Sequence, residues 1–332
     1  MEEWHRQYLT EHAPADWELQ VFAETLRPAT ASLAADADAV SVFIYSEVTS
    51  ETLAGLSCLR MIATRSTGYD HVDLETCAGR GIIVSNVPRY GENTVAEHVF
   101  GLALSLSRKI YQAYLRTTRL DFSLHSLRGF DLKGKTMGVV GAGAIGLHVV
   151  RIARGFGMEA LAHDALEQPL LSEVLGFRYT SLEDLLANSD VISLHVPLTP
   201  ETHHLINQET VRLIKRGAIL INTARGAVVE TGAVVTALNE GILAGAGLDV
   251  LEGEELIKEE AQLLGQTVSV EKLRAIVQSY ALLHRDNVII TPHMGFYSVE
   301  AEERILDTTI ENIQGFRQGT PANQCTVMSD EV

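Results

Sequence analysis

The sequence predicts an α/β fold of two doubly wound parallel-sheet domains. Three observations carry that expectation. Short apolar runs alternate with segments of helical periodicity along most of the chain, the pattern of parallel strands joined by crossover helices. The runs fall into two sets separated by a helical stretch. The 332 residues are enough for two domains that each bury a core.

The first set of strands is expected at residues 40–45, 59–63 and 82–84, with a weaker run at 19–23. The second begins at Met137 and continues at 159–163, 191–195, 218–222, 245–250 and 287–291. Between the sets, Thr94 and Glu97 have the spacing of a capping box. Val99, Leu102, Ala103, Leu106 and Ile110 then mark one apolar helix face. A further helix is predicted over 298–316, with Ile305, Ile310, Ile313 and Phe316 on its apolar side, and the tail beyond it is expected to return to the first domain.

Composition narrows the function. Net charge is −17 and no basic patch stands out, which argues against a nucleic-acid partner. No apolar stretch has the length of a membrane span, and Met1-Glu2-Glu3-Trp4-His5 lacks a signal-peptide pattern. Cys58, Cys77 and Cys325 show neither metal-ligand spacing nor a disulfide framework, so reduced thiols in a cytoplasmic protein are expected. His203 and His204 read as surface residues, and His98 and His195 as structural ones. No His, Asp or Glu set has metal spacing. The Glu-rich segment 252–260 reads mostly as a solvated face.

The most informative stretch is Gly141-Ala142-Gly143-Ala144-Ile145-Gly146, which follows the apolar run 137–140 and precedes a helical pattern. In that context Gly141 serves a tight turn, Gly143 lets the backbone approach a pyrophosphate, and Gly146 lets the helix pack closely on the strand. The phosphates would meet the unpaired N–H groups at the helix start. Asp164 follows the next apolar run, roughly twenty residues on, where a carboxylate accepts the ribose hydroxyls. It would repel a 2′-phosphate, so NAD is expected rather than NADP.

Three polar segments follow apolar strands in the same domain: Asn222-Thr223-Ala224-Arg225-Gly226, Asp249-Val250-Leu251-Glu252-Gly253-Glu254 and Thr291-Pro292-His293-Met294-Gly295. Ligands of parallel α/β sheets bind beyond the carboxyl ends of the strands, so Arg225, Glu254 and His293 are expected beside a nicotinamide. The types suit a 2-oxo acid. Arginine offers forked donors to its carboxylate. Histidine, with an unperturbed pKa of about 6.5, serves as acid or base at its carbonyl. A carboxylate would orient that ring and favour its charged form.

These segments, in this order, resemble the D-isomer-specific 2-hydroxyacid dehydrogenase family over nearly the whole chain. The resemblance implies a flavodoxin-like substrate domain at 1–93 and 299–332 and a Rossmann NAD-binding domain at 94–298. It implies that Arg225 binds substrate, Glu254 pairs with the histidine and His293 is the acid/base. Ala144, Ile145, Asp164, Val196, Pro197, Thr202, Thr223, Ala224, Arg225 and Asp249 would contact NAD, alongside Gly141, Gly143 and Gly146. In the first domain, Arg65-Ser66-Thr67-Gly68-Tyr69-Asp70 resembles a carboxylate-binding loop, and Tyr90 would lie over the substrate. Phe296 and Tyr297 resemble the aromatics of the D-lactate dehydrogenase branch and suit a short apolar side chain. Hydroxypyruvate, glyoxylate and branched-chain 2-oxo acids are the alternative substrates, and a non-catalytic NAD-sensing interaction protein is the alternative outside enzymes. The resemblance also implies a homodimer formed through the cofactor domain. The chain departs from the family at its start, where no strand is evident, and in the long segment between Glu254 and His293. Leu263, Leu264, Leu273, Ile276 and Val277 suggest a helix or lid there.

Overall fold

In the computed structural model, residues 3–253, 277 and 280–326 are described. The chain divides into one unit of residues 1–90 with 297–332 and a second of residues 91–296.

The first unit begins with helix α1 (Glu3–His12). Its parallel sheet has three strands, β1 (Ala39–Val42), β2 (Met61–Thr64) and β3 (Ile83–Ser85), in the order β1-β2-β3. The short helices α2 (Ser50–Ala54) and α3 (Leu74–Gly79) make the crossovers. Leu53, Leu56, Ile62, Cys77 and Val84 fill the core beside the sheet. The weak run at 19–23 forms no strand. Leu19 and Phe22 are exposed, so no buried face rewards pairing there. A final helix, numbered α10 below (Val299–Arg317), is capped by Ser298, whose hydroxyl accepts from the Ala301 N–H. Its Leu306 and Ile310 pack with Leu9 of α1. Beyond it the chain runs back along β3: Cys325 N–H donates to Val84 O (2.8 Å) and Asn86 N–H to Asn323 O (3.0 Å).

Among the described residues, the second unit holds seven parallel strands. They are β4 (Thr136–Val140), β5 (Glu159–His163), β6 (Arg178–Tyr179), β7 (Val191–Leu194), β8 (Ala218–Asn222), β9 (Leu243–Leu248) and β10 (Val288–Ile290). Their order is β10-β9-β8-β7-β4-β5-β6. The winding reverses at β4, which has β5 on one side and β7 on the other, and such a reversal is where ligands bind in open α/β sheets. Two-residue β6 is too short to show a periodicity.

Alternate residues of one strand feed opposite cores, as a period of two requires. Met137 and Val139 pack with α4 (Glu92–Ser107) and α6 (Ala144–Gly155). Val140, Ile192, Leu194 and Leu220 pack with α8 (Leu182–Asn188) and α9 (Thr231–Asn239). Helices α5 (Ile110–Thr117) and α7 (Pro169–Leu175) have no fully buried residues, although Leu175 packs against the core beside α4 and α6.

The expected capping box does not form. Gly91 is the N-cap of α4, so Thr94 lies inside the first turn, where its hydroxyl has no cap to make. Val99, Leu102, Ala103 and Leu106 are buried as expected. Ile110 is not, because Lys109 adopts a left-handed conformation (φ 52°) that breaks the helix before it.

Gly146 has a strict steric reason. A Cβ there would lie 2.0 Å from Gly141 O and 3.0 Å from Val139 Cγ1. Gly146→Ala is therefore expected to cost about 1–3 kcal/mol or more by overpacking, read as a lower urea midpoint for the second unit. An unchanged midpoint would contradict this packing.

Candidate active site

The glycine turn is built where the winding reverses. Gly141 has φ 93°, and a Cβ on it would lie 2.6 Å from His195 O in the segment after β7. Only glycine meets both demands. Gly143 is the N-cap of α6 and is exposed, with open space where a Cβ would stand. Ala144 is exposed and Ile145 half-buried behind it. The first N–H groups of a twelve-residue helix thus face an open cradle fit for phosphate.

Asp164 follows β5 and closes the turn from the side. One carboxylate oxygen accepts from the Ala142 N–H (2.7 Å) and the other from the Leu166 N–H (2.9 Å). Each oxygen keeps a lone pair for a ribose hydroxyl.

The segment after β7 is braced internally. The Thr202 hydroxyl donates to Pro197 O (2.5 Å) and accepts from the Thr199 N–H (2.8 Å). Val196 Cγ1 lies 3.1 Å from where a Gly141 Cβ would stand. His195 Nε2 meets Ser193 Oγ at 2.8 Å, and burial pushes this imidazole down to about 3, so it stays neutral. Two buried polar atoms on this edge of the sheet, His195 Nδ1 and Thr223 Oγ1, have no hydrogen-bond partner. Orphaned polar groups are costly in a finished interior, and together with the open cradle they fit a polar ligand such as NAD.

The turns bearing the candidate residues leave adjacent strands at one level. Asn222 of β8 is in register with Leu248 of β9, and Leu248 with Ile290 of β10. The Asn222 side chain folds the first turn, accepting from the Ala224 N–H (3.0 Å) and donating to Arg225 O (2.9 Å). Half-buried Arg225 donates from Nη1 to Ala224 O (2.8 Å). Gly226 packs under the next turn, since a Cβ there would strike Leu251 O.

Asp249 organises the third turn and is only 2 % exposed. Its backbone oxygen accepts from the His293 N–H (2.8 Å). Carboxylate Oδ1 accepts from the Thr291 hydroxyl (2.5 Å) and the Met294 N–H (2.9 Å), and Oδ2 from the Gly295 N–H (2.8 Å). His98 Nε2, on α4, lies 3.4 Å from Oδ1 and 3.1 Å from Thr291 Oγ1. Burial by itself would raise the Asp249 carboxyl. The donors from His98, Thr291, Met294 and Gly295 outweigh it and hold the group below the usual carboxylate range. His293 is thereby held in a left-handed conformation (φ 57°), rare for a residue with a side chain but several-fold enriched in histidine.

In the first unit, the Ser66 hydroxyl donates to Gly68 O (2.6 Å) and the Thr67 hydroxyl to Val87 O (2.9 Å), which shapes the loop after β2. Arg65 begins that loop. Its Nε is buried without a partner, and burial pushes the guanidinium down to about 10. Tyr90 is half-buried, and its backbone oxygen accepts from Arg304 Nε (2.6 Å). Phe296 belongs to the second unit, its Cβ 3.7 Å from where a Gly91 Cβ would stand.

Glu254, expected to pair with His293, lies outside the described residues, as do Leu263, Leu264, Leu273 and Ile276 of the proposed lid. His204 is not simply a surface residue. Its Nε2 meets Glu252 Oε1 at 2.6 Å, and the other Glu252 oxygen accepts from the Thr231 N–H and hydroxyl. Sequence reasoning also missed the parts played by His98 and Thr291. Their partners are distant in the chain, and no local pattern reveals them. Among the described residues no group of three or more His, Cys, Asp or Glu is arranged to hold a metal ion. No described helix is long and apolar enough to cross a membrane.

The depressed Asp249 pKa has a pH signature. Its stabilisation is present above the unfolded carboxyl value of about 3.9 and is lost as pH falls through the lower folded value. Asp249→Asn should therefore unfold at lower urea than the parent protein at pH 6, and the gap should shrink as pH drops below about 4. A gap independent of pH would show that the carboxylate charge is not what holds this turn.

The chain is also similar to known proteins. Residues 100–295 match the model of the D-isomer specific 2-hydroxyacid dehydrogenase, NAD binding domain. The chain is 36% identical to D-lactate dehydrogenase of Escherichia coli over 91% of its own length and 90% of that protein. It is 38% identical to a glyoxylate reductase of Thermococcus litoralis, over 86% and 82% respectively. The crystal structure of D-lactate dehydrogenase from Aquifex aeolicus, complexed with NAD and lactic acid, superposes with a TM-score of 0.83 at 38% identity, covering 96% of this chain and 92% of that one. The open glycine turn, Asp164 and the anchored histidine turn thus occur in a chain that belongs to the D-isomer-specific 2-hydroxyacid dehydrogenase family, NAD-dependent oxidoreductases acting on CH–OH donors.

Proposed function

We propose that the preferred reaction is reduction of pyruvate, or a 2-oxo acid with a similarly short apolar side chain, to the D-2-hydroxy acid. The observation that carries this reading is the pair Phe296-Tyr297 directly after the Asp249-anchored turn. An aromatic wall there favours a methyl group over a hydroxymethyl or a bare aldehyde hydrogen. The likeness to enzymes named D-lactate dehydrogenase supports it. The likeness to glyoxylate reductases supports a second reading, in which glyoxylate is preferred.

Bound NADH supplies the hydride that adds to C2. Gly141, Gly143, Ala144 and Ile145 would receive the pyrophosphate in a turn that Gly146 lets pack closely, Asp164 would take the ribose hydroxyls, and Thr223 would meet a polar edge of the dinucleotide through its orphaned hydroxyl. Val196, Pro197, Thr202 and Ala224 complete the proposed cofactor surface, while Asp249, buried and committed to the His293 turn, supports it from beneath. Arg225 holds the substrate carboxylate by its forked donors. In the first unit, Thr67, Gly68 and Tyr90 are the candidate substrate-binding residues. His293 in its protonated form gives its proton to the carbonyl oxygen as the hydride arrives, and Glu254 steadies that charge. In the reverse direction His293 takes the hydroxyl proton.

A homodimer formed through the second unit goes with this reading. Tyr111, Tyr114, Leu120, Phe122 and Leu124 expose much of their apolar surface on and after α5, a cluster that a second copy would cover. Cytoplasmic placement accords with three free thiols, at Cys58, Cys77 and Cys325.

NADH oxidation with pyruvate, hydroxypyruvate, glyoxylate, phenylpyruvate and 2-oxoisocaproate should give the highest kcat/KM for pyruvate, with D-lactate as product. Highest kcat/KM for glyoxylate would replace the first reading by the second. No turnover with any of the five would remove both. His293→Ala should lower kcat by about 100-fold or more while NADH binding, followed by fluorescence, is largely kept. Leu120→Glu with Leu124→Glu should turn a dimer into a monomer in sedimentation analysis. A wild type that sediments as a monomer would rule the dimer out.

A further inference from the structure

We infer that His98, on α4, is a positioning residue for the acid/base turn, acting through Thr291 and Asp249. The inference rests on His293 being the proton donor, as proposed above. The proton inventory sets the direction of the chain of bonds. Asp249 Oδ1 is an ionised acceptor, so the Thr291 hydroxyl, 2.5 Å away, gives it its one proton. The Thr291 oxygen is then left as an acceptor, and the atom facing it, His98 Nε2 at 3.1 Å, must carry a hydrogen. His98 therefore donates to Thr291, and Thr291 donates to Asp249. The same Nε2 stands 3.4 Å from Oδ1.

Among the described residues, the other donors to this carboxylate, Thr291, Met294 and Gly295, belong to the turn that it holds. His98 reaches the network from another element. That element is a sixteen-residue helix whose Val99, Leu102, Ala103 and Leu106 are buried against the sheet. The bond from His98 thus ties the mobile kind of element, a turn, to a rigid one. The fit is close: a Cβ on Gly295 would lie 2.9 Å from Asp249 Oδ2 and 3.4 Å from His98 Cδ2. Without the Nε2 hydrogen, the Thr291 hydroxyl is free to turn away, Oδ1 loses its shortest donor, and the backbone of His293 loses its fixed setting.

The test compares His98→Leu, which removes the donor, with His98→Gln, whose amide nitrogen restores a donor near Nε2. Both are assayed with pyruvate and with glyoxylate. His98→Leu is expected to lower kcat about tenfold or more through misplacement of the acid, with the NADH dissociation constant changed by no more than about threefold. Hydrogen exchange at the Met294 and Gly295 amides should quicken in His98→Leu. His98→Gln should bring both kcat and exchange most of the way back. The inference is overturned if His98→Leu keeps kcat and exchange at wild-type levels, or if His98→Gln is as impaired as His98→Leu. Should His98→Leu fail to fold, Thr291→Val cuts the same chain one bond later, and wild-type kcat and exchange in that variant would overturn it equally. A wild type inactive on every 2-oxo acid would defeat the proposed function alone, and amide exchange would still decide the role of His98.

Discussion

The structure around the His293 turn depends on one buried carboxylate. Asp249 is nearly inaccessible, and an ionised group in that position costs several kcal/mol unless its lone pairs are filled. Thr291, Met294 and Gly295 fill them. Hydrogen bonds to a charged group contribute about 1.5–3 kcal/mol each. Three of them offset the burial and leave enough to hold His293 in a backbone region that costs about 1–3 kcal/mol. His293, the proposed acid/base, is thus placed by its backbone.

That anchor works because the sheet delivers its parts to one level. Asn222, Leu248 and Ile290 are aligned by strand register, so the turns that follow them emerge side by side. Arg225 stands at the end of one and His293 at the end of another. At the winding reversal, Gly141 lets the turn after β4 approach the His195 carbonyl, and the start of α6 stays open beside it. The glycine turn, Arg225 and His293 therefore sit on the same carboxyl edge of one sheet, seven-stranded among the described residues.

Much of this was legible in the sequence, for a physical reason. The glycine turn, Asp164 and the segments bearing Arg225 and His293 are local patterns, each a strand followed by residues whose chemistry is plain. Gly146 could be assigned to close packing because that constraint belongs to neighbours only a few residues away. Non-local facts were not legible. Thr94 and Glu97 have capping-box spacing, yet α4 starts at Glu92, because the turn at Gly91 rather than side-chain chemistry sets its first residue. Leu19 and Phe22 look like strand residues but find no face to bury. His98 has no distinguishing neighbour on its helix, and its meaning comes from residues more than 150 positions away. Glu252 read as part of a solvated face, and only the fold supplies His204 and Thr231 as its partners.

The most direct measurement of the central claim is single-turnover oxidation of NADH by Asp249→Asn, at saturating NADH and pyruvate, in protein verified as folded by circular dichroism. If the carboxylate fixes His293 for proton transfer, the rate of the chemical step falls by about tenfold or more. A folded variant that transfers hydride at the wild-type rate would show that the histidine is held by something else.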